Sequence, residues 1–179
     1  GDLASVHSVA SFFVSRVDTE VDRRLDAIGT SDALALRGQA AVAQAKLAYR
    51  LFRDQFSGPR WEALAARGAQ PQRPLWASTS TKNPAYPDTL YVDSLIGPDT
   101  VNTLPEPTIA AFEDHGTLAR TIDSGVGDAE AVLDGLDEVG VDMDDVGRTL
   151  EDQGVASFLE SFAHVLQALQ TKARQLVAR

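Results

Sequence analysis

Two short stretches of this chain gather side chains suited to holding an anion. The first is Val14-Ser15-Arg16, which closes the apolar run from His7 to Val14. A guanidinium is a planar cation with paired donors that match a phosphate edge. In parallel α/β folds, function collects at the carboxyl ends of strands, where Arg16 would then lie. The same arginine could equally form a surface ion pair with Asp18 or Glu20. The second stretch is Ser78-Thr79-Ser80-Thr81-Lys82-Asn83. Four hydroxyls, an amide and an ammonium form a dense donor set that could hold a phosphate or a sugar, or could simply be a solvated loop. A third position, Asn102, follows a short apolar segment; Asn102 and Thr103 can equally satisfy backbone groups. The chain has only Lys46, Lys82 and Lys172. Lys46 and Lys172 fall in the middle of helical patterns, so the residues alone leave Lys82 as the one candidate for Schiff-base chemistry.

Other chemistries find little support. The run Asp142-Met143-Asp144-Asp145-Val146-Gly147 has the outline of a calcium loop but puts valine where an oxygen ligand is needed. Gly125-Val126-Gly127 lacks the third glycine of a dinucleotide fingerprint. His7, His115 and His164 have no ligand spacing, and no cysteine is present, so no thiolate metal site, disulfide or cysteine nucleophile can form. No metal or cofactor site is expected. The net charge of −10 opposes binding to phosphodiester backbones and anionic lipid, and no basic patch offsets it, so neither nucleic acid nor membrane is an expected partner. No apolar run reaches the roughly 18 residues of a membrane span, and no secretory signal is visible. A cytoplasmic location is expected. The first residue is not Met, and a strand pattern starts within a few residues, which suggests that the chain begins inside a larger unit.

The elements that would position these residues follow from periodicity. His7–Val14 reads as a buried strand, and 19–28 as a helix closed by Gly29. Thr30-Ser31-Asp32 offers N-cap chemistry for one long helix to about Phe56. A short helix over 61–66 and a strand over 73–78 come next. Residues 88–96 fit either a helix or a strand. Residues 100–104 form a third strand, and Pro105 suits the first turn of a helix reaching Asp114. Helices are expected over 129–139, 144–152 and 155–179, separated by breaks at Gly140 and Gly154. Strands separated by helices argue for a parallel sheet. Three strands cannot close a barrel, so the chain is either a small open α/β domain or the last part of a larger barrel.

The segment from Ser8 to Asp22 (SVASFFVSRVDTEVD) resembles the sixth-strand segment of transaldolases of the bacterial, actinobacterial-type branch. Pro74 to Val92 (PLWASTSTKNPAYPDTLYV) resembles the seventh-strand segment, and Asp99 to Pro105 the eighth. This resemblance implies an α/β fold, a partial TIM (β/α)8 barrel of about strands six to eight with their helices, plus a C-terminal helical tail. Residues 1–116 would be barrel and 117–179 helical, within one barrel domain. It implies transfer of a dihydroxyacetone unit from sedoheptulose 7-phosphate to glyceraldehyde 3-phosphate, giving erythrose 4-phosphate and fructose 6-phosphate, without a cofactor. The Schiff-base lysine would lie before residue 1, in an N-terminal half absent from this chain, so no catalytic residue is expected here and the chain alone would be inactive. Ser11 would line the sugar site and Arg16 would grip the phosphate. Ser78 belongs to the same phosphate-binding loop. Lys82 falls where many relatives carry a second phosphate-binding arginine, and a lysine there offers a point charge in place of a fork. The alternatives are a non-catalytic phosphosugar-binding module and an acidic helical interaction protein.

Overall fold

The structure, a computed structural model, describes residues 2–177. The chain forms two compact units, divided between Val141 and Asp142. In the first, a 3-10 turn at Leu3–Ser5 leads into β1 (Val9–Phe13), α1 (Ser15–Ile28), α2 (Ser31–Ala35), α3 (Ala40–Gln55) and α4 (Gly58–Ala65). Then come β2 (Arg73–Ala77), α5 (Leu90–Asp93), β3 (Val101–Asn102), α6 (Glu106–His115) and α7 (Val126–Glu138). The second unit holds α8 (Met143–Val177). The protein is α/β, mostly helical, with a small parallel sheet in the order β1-β2-β3.

The register pairs Val9 with Arg73 through Phe13 with Ala77, and Trp76 with Asn102. Successive side chains of a strand point to opposite faces, and the two faces here differ sharply. On one, Trp76 is 1% exposed and meets Phe12 edge-on, with ring centroids 5.8 Å apart. α1 buries Val17, Val21 and Leu25 at helical spacing, and α3 buries a run of small alanines followed by Tyr49 and Phe52. The small side chains let α3 pack closely on α1, β2 and α7. On the other face, Val9, Ser11 and Phe13 are exposed, Phe13 by 46%. Parallel strands are normally covered on both sides, so this sheet presents an uncovered face.

Several elements depart from the sequence reading. The long helix expected to run from about Ser31 to Phe56 is two helices, α2 and α3. Gly38 separates them with φ of +71°, a left-handed backbone that glycine adopts without strain. The opposite holds at the other end: the two helices expected on either side of Gly154 are one helix, α8. Asp142 starts it, its Oδ1 accepting from the N–H groups of Asp144 and Asp145. A mid-helix glycine costs only about 1 kcal/mol relative to alanine, and thirty-five helical residues absorb that. The last residues of the expected 155–179 helix, 178–179, lie outside the described residues. Residues 88–96, open between helix and strand, contain the short helix α5. Pro105 is the N-cap residue of α6, not its first helical residue; Pro107 sits inside the first turn. α1 begins at Ser15, four residues before the expected start at Thr19, so Arg16 belongs to a helix N-terminus.

Candidate functional site

The carboxyl ends of β1 and β2 are stitched together. Val14 N–H donates to the Ala77 carbonyl at 2.9 Å, and Ser15 N–H to the Ser78 carbonyl at 3.0 Å. The hydroxyls of Ser15 and Ser78 lie 2.9 Å apart. Ser78 takes φ of +58°, uncommon for a residue with a Cβ and typical of positions where the surrounding structure imposes the backbone. The strain turns the chain sharply out of β2 and into the Ser/Thr-rich loop. Arg16, in the first turn of α1, is exposed, and its guanidinium carbon stands 5.0 Å from the centroid of the Phe13 ring. A cation over an aromatic face gains about 0.5–1 kcal/mol at an exposed site, which orders the side chain while leaving its donors available. Phe13 and Ser11 alternate onto the same uncovered face of β1.

Neither carboxylate expected to neutralise Arg16 does so. Asp18 is buried and bonded elsewhere. Glu20 accepts from Arg23 at 2.7 and 2.9 Å and from Arg24 at 2.8 Å. Those partners, Arg23 first, pull the Glu20 carboxyl down to about 2. Among the described residues, no carboxylate forms an ion pair with Arg16. The positive end of the α1 dipole adds to its field.

The loop after β2 divides into a fixed and an exposed part. Thr79 is fully buried; its hydroxyl donates to the Asn102 side-chain oxygen at 2.8 Å, so Asn102 ties β3 to β2. Lys82 is exposed, and its Nζ donates to Ser80 Oγ at 2.7 Å. The apolar enclosure that activates an imine-forming lysine is lacking around it. Lys82 and Asn83 face a groove of about 290 Å³ whose other lining residues are Thr19, Asp22, Arg23, Asp26 and Arg37. Arg16 is not part of that lining. The structure thus places Arg16 and Ser78 at the strand ends, Ser11 in the middle of β1 and Lys82 in a groove beside α1. A cavity of about 480 Å³ is lined by residues of α3, α5 and the start of α7 and includes none of these four residues.

A network absent from the sequence reading holds this region. Asp18 Oδ1 accepts from the Ala41 N–H at 2.8 Å, which satisfies a donor at the start of α3, and Asp18 Oδ2 accepts from the Tyr91 hydroxyl at 2.7 Å. Asp22 repeats the pattern one turn later, accepting from the Gly38 N–H at 2.9 Å and from the Tyr86 hydroxyl at 2.5 Å. Burial pushes the Asp18 carboxyl up to about 6 against the opposing pull of its two hydrogen bonds. Burial also raises both tyrosines, Tyr86 to about 12. One signal could have revealed the pair: Asp18 and Asp22 adjoin the apolar stripe Val17, Val21 and Leu25, where an unpaired carboxylate would be costly. Among the described residues, no group of three or more acidic or histidine side chains is placed to hold a metal ion. No described helix is long and apolar enough to cross a membrane.

Comparison with known proteins places this geometry in a family. The family model described as transaldolase/fructose-6-phosphate aldolase matches residues 3–169. A transaldolase from Parafrankia sp. (strain EAN1pec) is 59% identical over 170 residues, which cover 94% of this chain and 46% of that protein. The transaldolase of Thermobifida fusca (strain YX) is 54% identical over 178 residues, 99% of this chain and 48% of the relative. That of Frankia alni is 57% identical over 176 residues, 98% and 47%. The chain spans about half the length of the curated relatives it matches. Identity of this depth along nearly its whole length means that the chain belongs to the transaldolase/fructose-6-phosphate aldolase family.

Proposed function

We propose that this chain is the phosphate-binding part of a transaldolase, a partial (β/α)8 barrel contributing about the last three strands. The single observation that carries the reading is Arg16: an exposed cation without a carboxylate partner among the described residues, held over Phe13 at the carboxyl end of β1 and next in sequence to Ser15, whose hydroxyl meets that of Ser78. The uncovered sheet face with Val9, Ser11 and Phe13 supports the barrel reading, since the remaining strands, carried by polypeptide outside this chain, would cover it. In the proposed reaction, a dihydroxyacetone unit moves from sedoheptulose 7-phosphate to glyceraldehyde 3-phosphate, leaving erythrose 4-phosphate and forming fructose 6-phosphate. The setting proposed is the cytoplasm.

Each residue here has a positioning part in that chemistry. Arg16 takes two phosphate oxygens through its forked donors. The Ser11 hydroxyl, on the same face, meets the sugar. Ser78 and Lys82 supply further donors from the loop after β2. Anchoring the phosphate puts remote binding energy into orienting the bond to be broken. An imine on a lysine outside this chain serves as the electron sink for carbon–carbon cleavage. Two experiments test the reading. Supplying the N-terminal half of the Thermobifida fusca relative in trans should give dihydroxyacetone transfer that neither half shows alone. Borohydride trapping with fructose 6-phosphate should leave Lys82 unlabelled, and a stable adduct there would overturn the assignment of the imine to another lysine.

The reading as a helical interaction protein has one feature in its favour. Val155, Phe158, Leu159, Phe162, Val165 and Leu169 form an exposed apolar stripe along α8. On that reading, Arg16→Ala and Lys82→Ala leave all measurable binding intact.

A further inference from the structure

We infer that Tyr86 is a positioning residue for the phosphate site: through Asp22 and Gly38 it straps the Lys82-bearing loop onto α1. This rests on the reading of Lys82 as a phosphate donor. The loop from Ser80 to Pro87 is long, polar and largely exposed. Its internal bonds run from Lys82 to Ser80, and from Ala85 and Tyr86 back to Asn83. The Leu90 N–H on the Pro87 carbonyl ties the end of the loop to α5, which follows it directly; among the described residues, the Tyr86 hydroxyl on Asp22 is the one hydrogen bond that joins residues 80–87 to an element distant in sequence.

The contact is built for that purpose on both sides. Asp22 is 8% exposed, and its second oxygen is held by the Gly38 N–H, so the carboxylate cannot swing away from the tyrosine. The Tyr86 ring lies directly over Gly38. A Cβ on Gly38 would meet the ring Cζ at 2.7 Å, closer than side chains pack. Gly38 therefore serves the strap twice, by its left-handed φ of +71° and by leaving room for the ring. The groove that holds Lys82 and Asn83 is walled by the same Asp22. Three residues separate Lys82 from Tyr86, so freeing the ring frees the ammonium. Tyr91 makes the parallel bond to Asp18 beyond the loop and anchors α5, so the two tyrosines divide the work.

The experiment compares Tyr86→Phe, Gly38→Ala, Tyr91→Phe and Gly29→Ala in the full chain. Gly29 shares the positive φ, at +72°, but its added Cβ meets nothing closer than 3.7 Å, so it reproduces the backbone strain without the ring collision. Two readouts are needed: amide exchange over residues 80–87 and the dissociation constant for fructose 6-phosphate. Tyr86→Phe and Gly38→Ala should speed exchange in the loop and weaken binding, each roughly tenfold, as loss of a hydrogen bond to a charged group implies. Tyr91→Phe and Gly29→Ala should leave affinity at the wild-type value. In the Tyr86→Phe background, Lys82→Ala should have little further effect; general destabilisation would leave the two changes additive. Unchanged loop exchange or unchanged affinity in Tyr86→Phe overturns the inference alone, provided wild-type binding depends on Arg16. A wild-type chain that binds no fructose 6-phosphate overturns the functional reading and this role with it.

Discussion

Asp18→Asn should make the protein more stable at neutral pH, although it removes a charged group that accepts two hydrogen bonds. Asparagine keeps both contacts: its oxygen can accept from the Ala41 N–H, and its amide can donate to the Tyr91 oxygen. What it removes is the cost of a buried negative charge. The folded carboxyl titrates at about 6 and its ordinary value is 3.8, a difference of roughly two units at 1.36 kcal/mol each, or about 3 kcal/mol. The sign follows from proton binding. Between these values the folded state holds a proton that the unfolded state has released, so the wild type gains stability as pH falls from 7.5 toward 4. About 2 kcal/mol of the total lies between pH 7.5 and pH 4.5. Glu20 works in the opposite sense, its contribution present above 4.5 and lost as pH falls toward about 2, but it is shared by both proteins and cancels in the difference. Urea denaturation of wild type and Asp18→Asn at the two pH values should show the variant ahead at pH 7.5 and its lead narrowing by about 2 kcal/mol at pH 4.5. A variant that is less stable at pH 7.5, or a lead that does not shrink, refutes the assignment of the raised pKa to this burial.

Gly154→Ala should stabilise α8 by about 0.5–1 kcal/mol and raise helical circular dichroism, because an added Cβ there meets nothing within 4 Å; a loss of helix would restore the break at Gly154. Phe13→Leu keeps an apolar side chain but removes the aromatic face beneath Arg16. It should weaken fructose 6-phosphate binding about two- to fivefold, for a loss of about 0.5–1 kcal/mol; titration calorimetry measures this, and an unchanged affinity would make the stacking incidental.

The strands were readable because a parallel strand is a nearly unbroken apolar run, and both SVASFF and PLWA have that texture. Glycine was the poor guide. Gly38 breaks a helical pattern because an aromatic ring from a distant loop sits on it and its backbone is left-handed. Gly154 breaks nothing, since its backbone takes no left-handed φ and a single mid-helix glycine costs only about 1 kcal/mol. Local sequence does not separate the two cases. Arg16 was singled out as a cation at a strand end, but its helix starts at Ser15, so the helix dipole and the Phe13 ring that shape its surroundings were invisible. Asp18 was read only as a surface partner for Arg16, and Asp22 was not singled out, because carboxylates on a helix usually face water. Their tyrosine partners lie 73 and 64 residues further on, beyond the reach of any local pattern.

The most direct measurement of the central claim is the affinity of this chain for fructose 6-phosphate, compared with Arg16→Ala and Lys82→Ala. If Arg16 grips the phosphate and Lys82 supplements it, Arg16→Ala should weaken binding at least tenfold and Lys82→Ala by less, since a forked, charge-assisted pair contributes more than a single exposed ammonium. Equal affinities in all three proteins would contradict it.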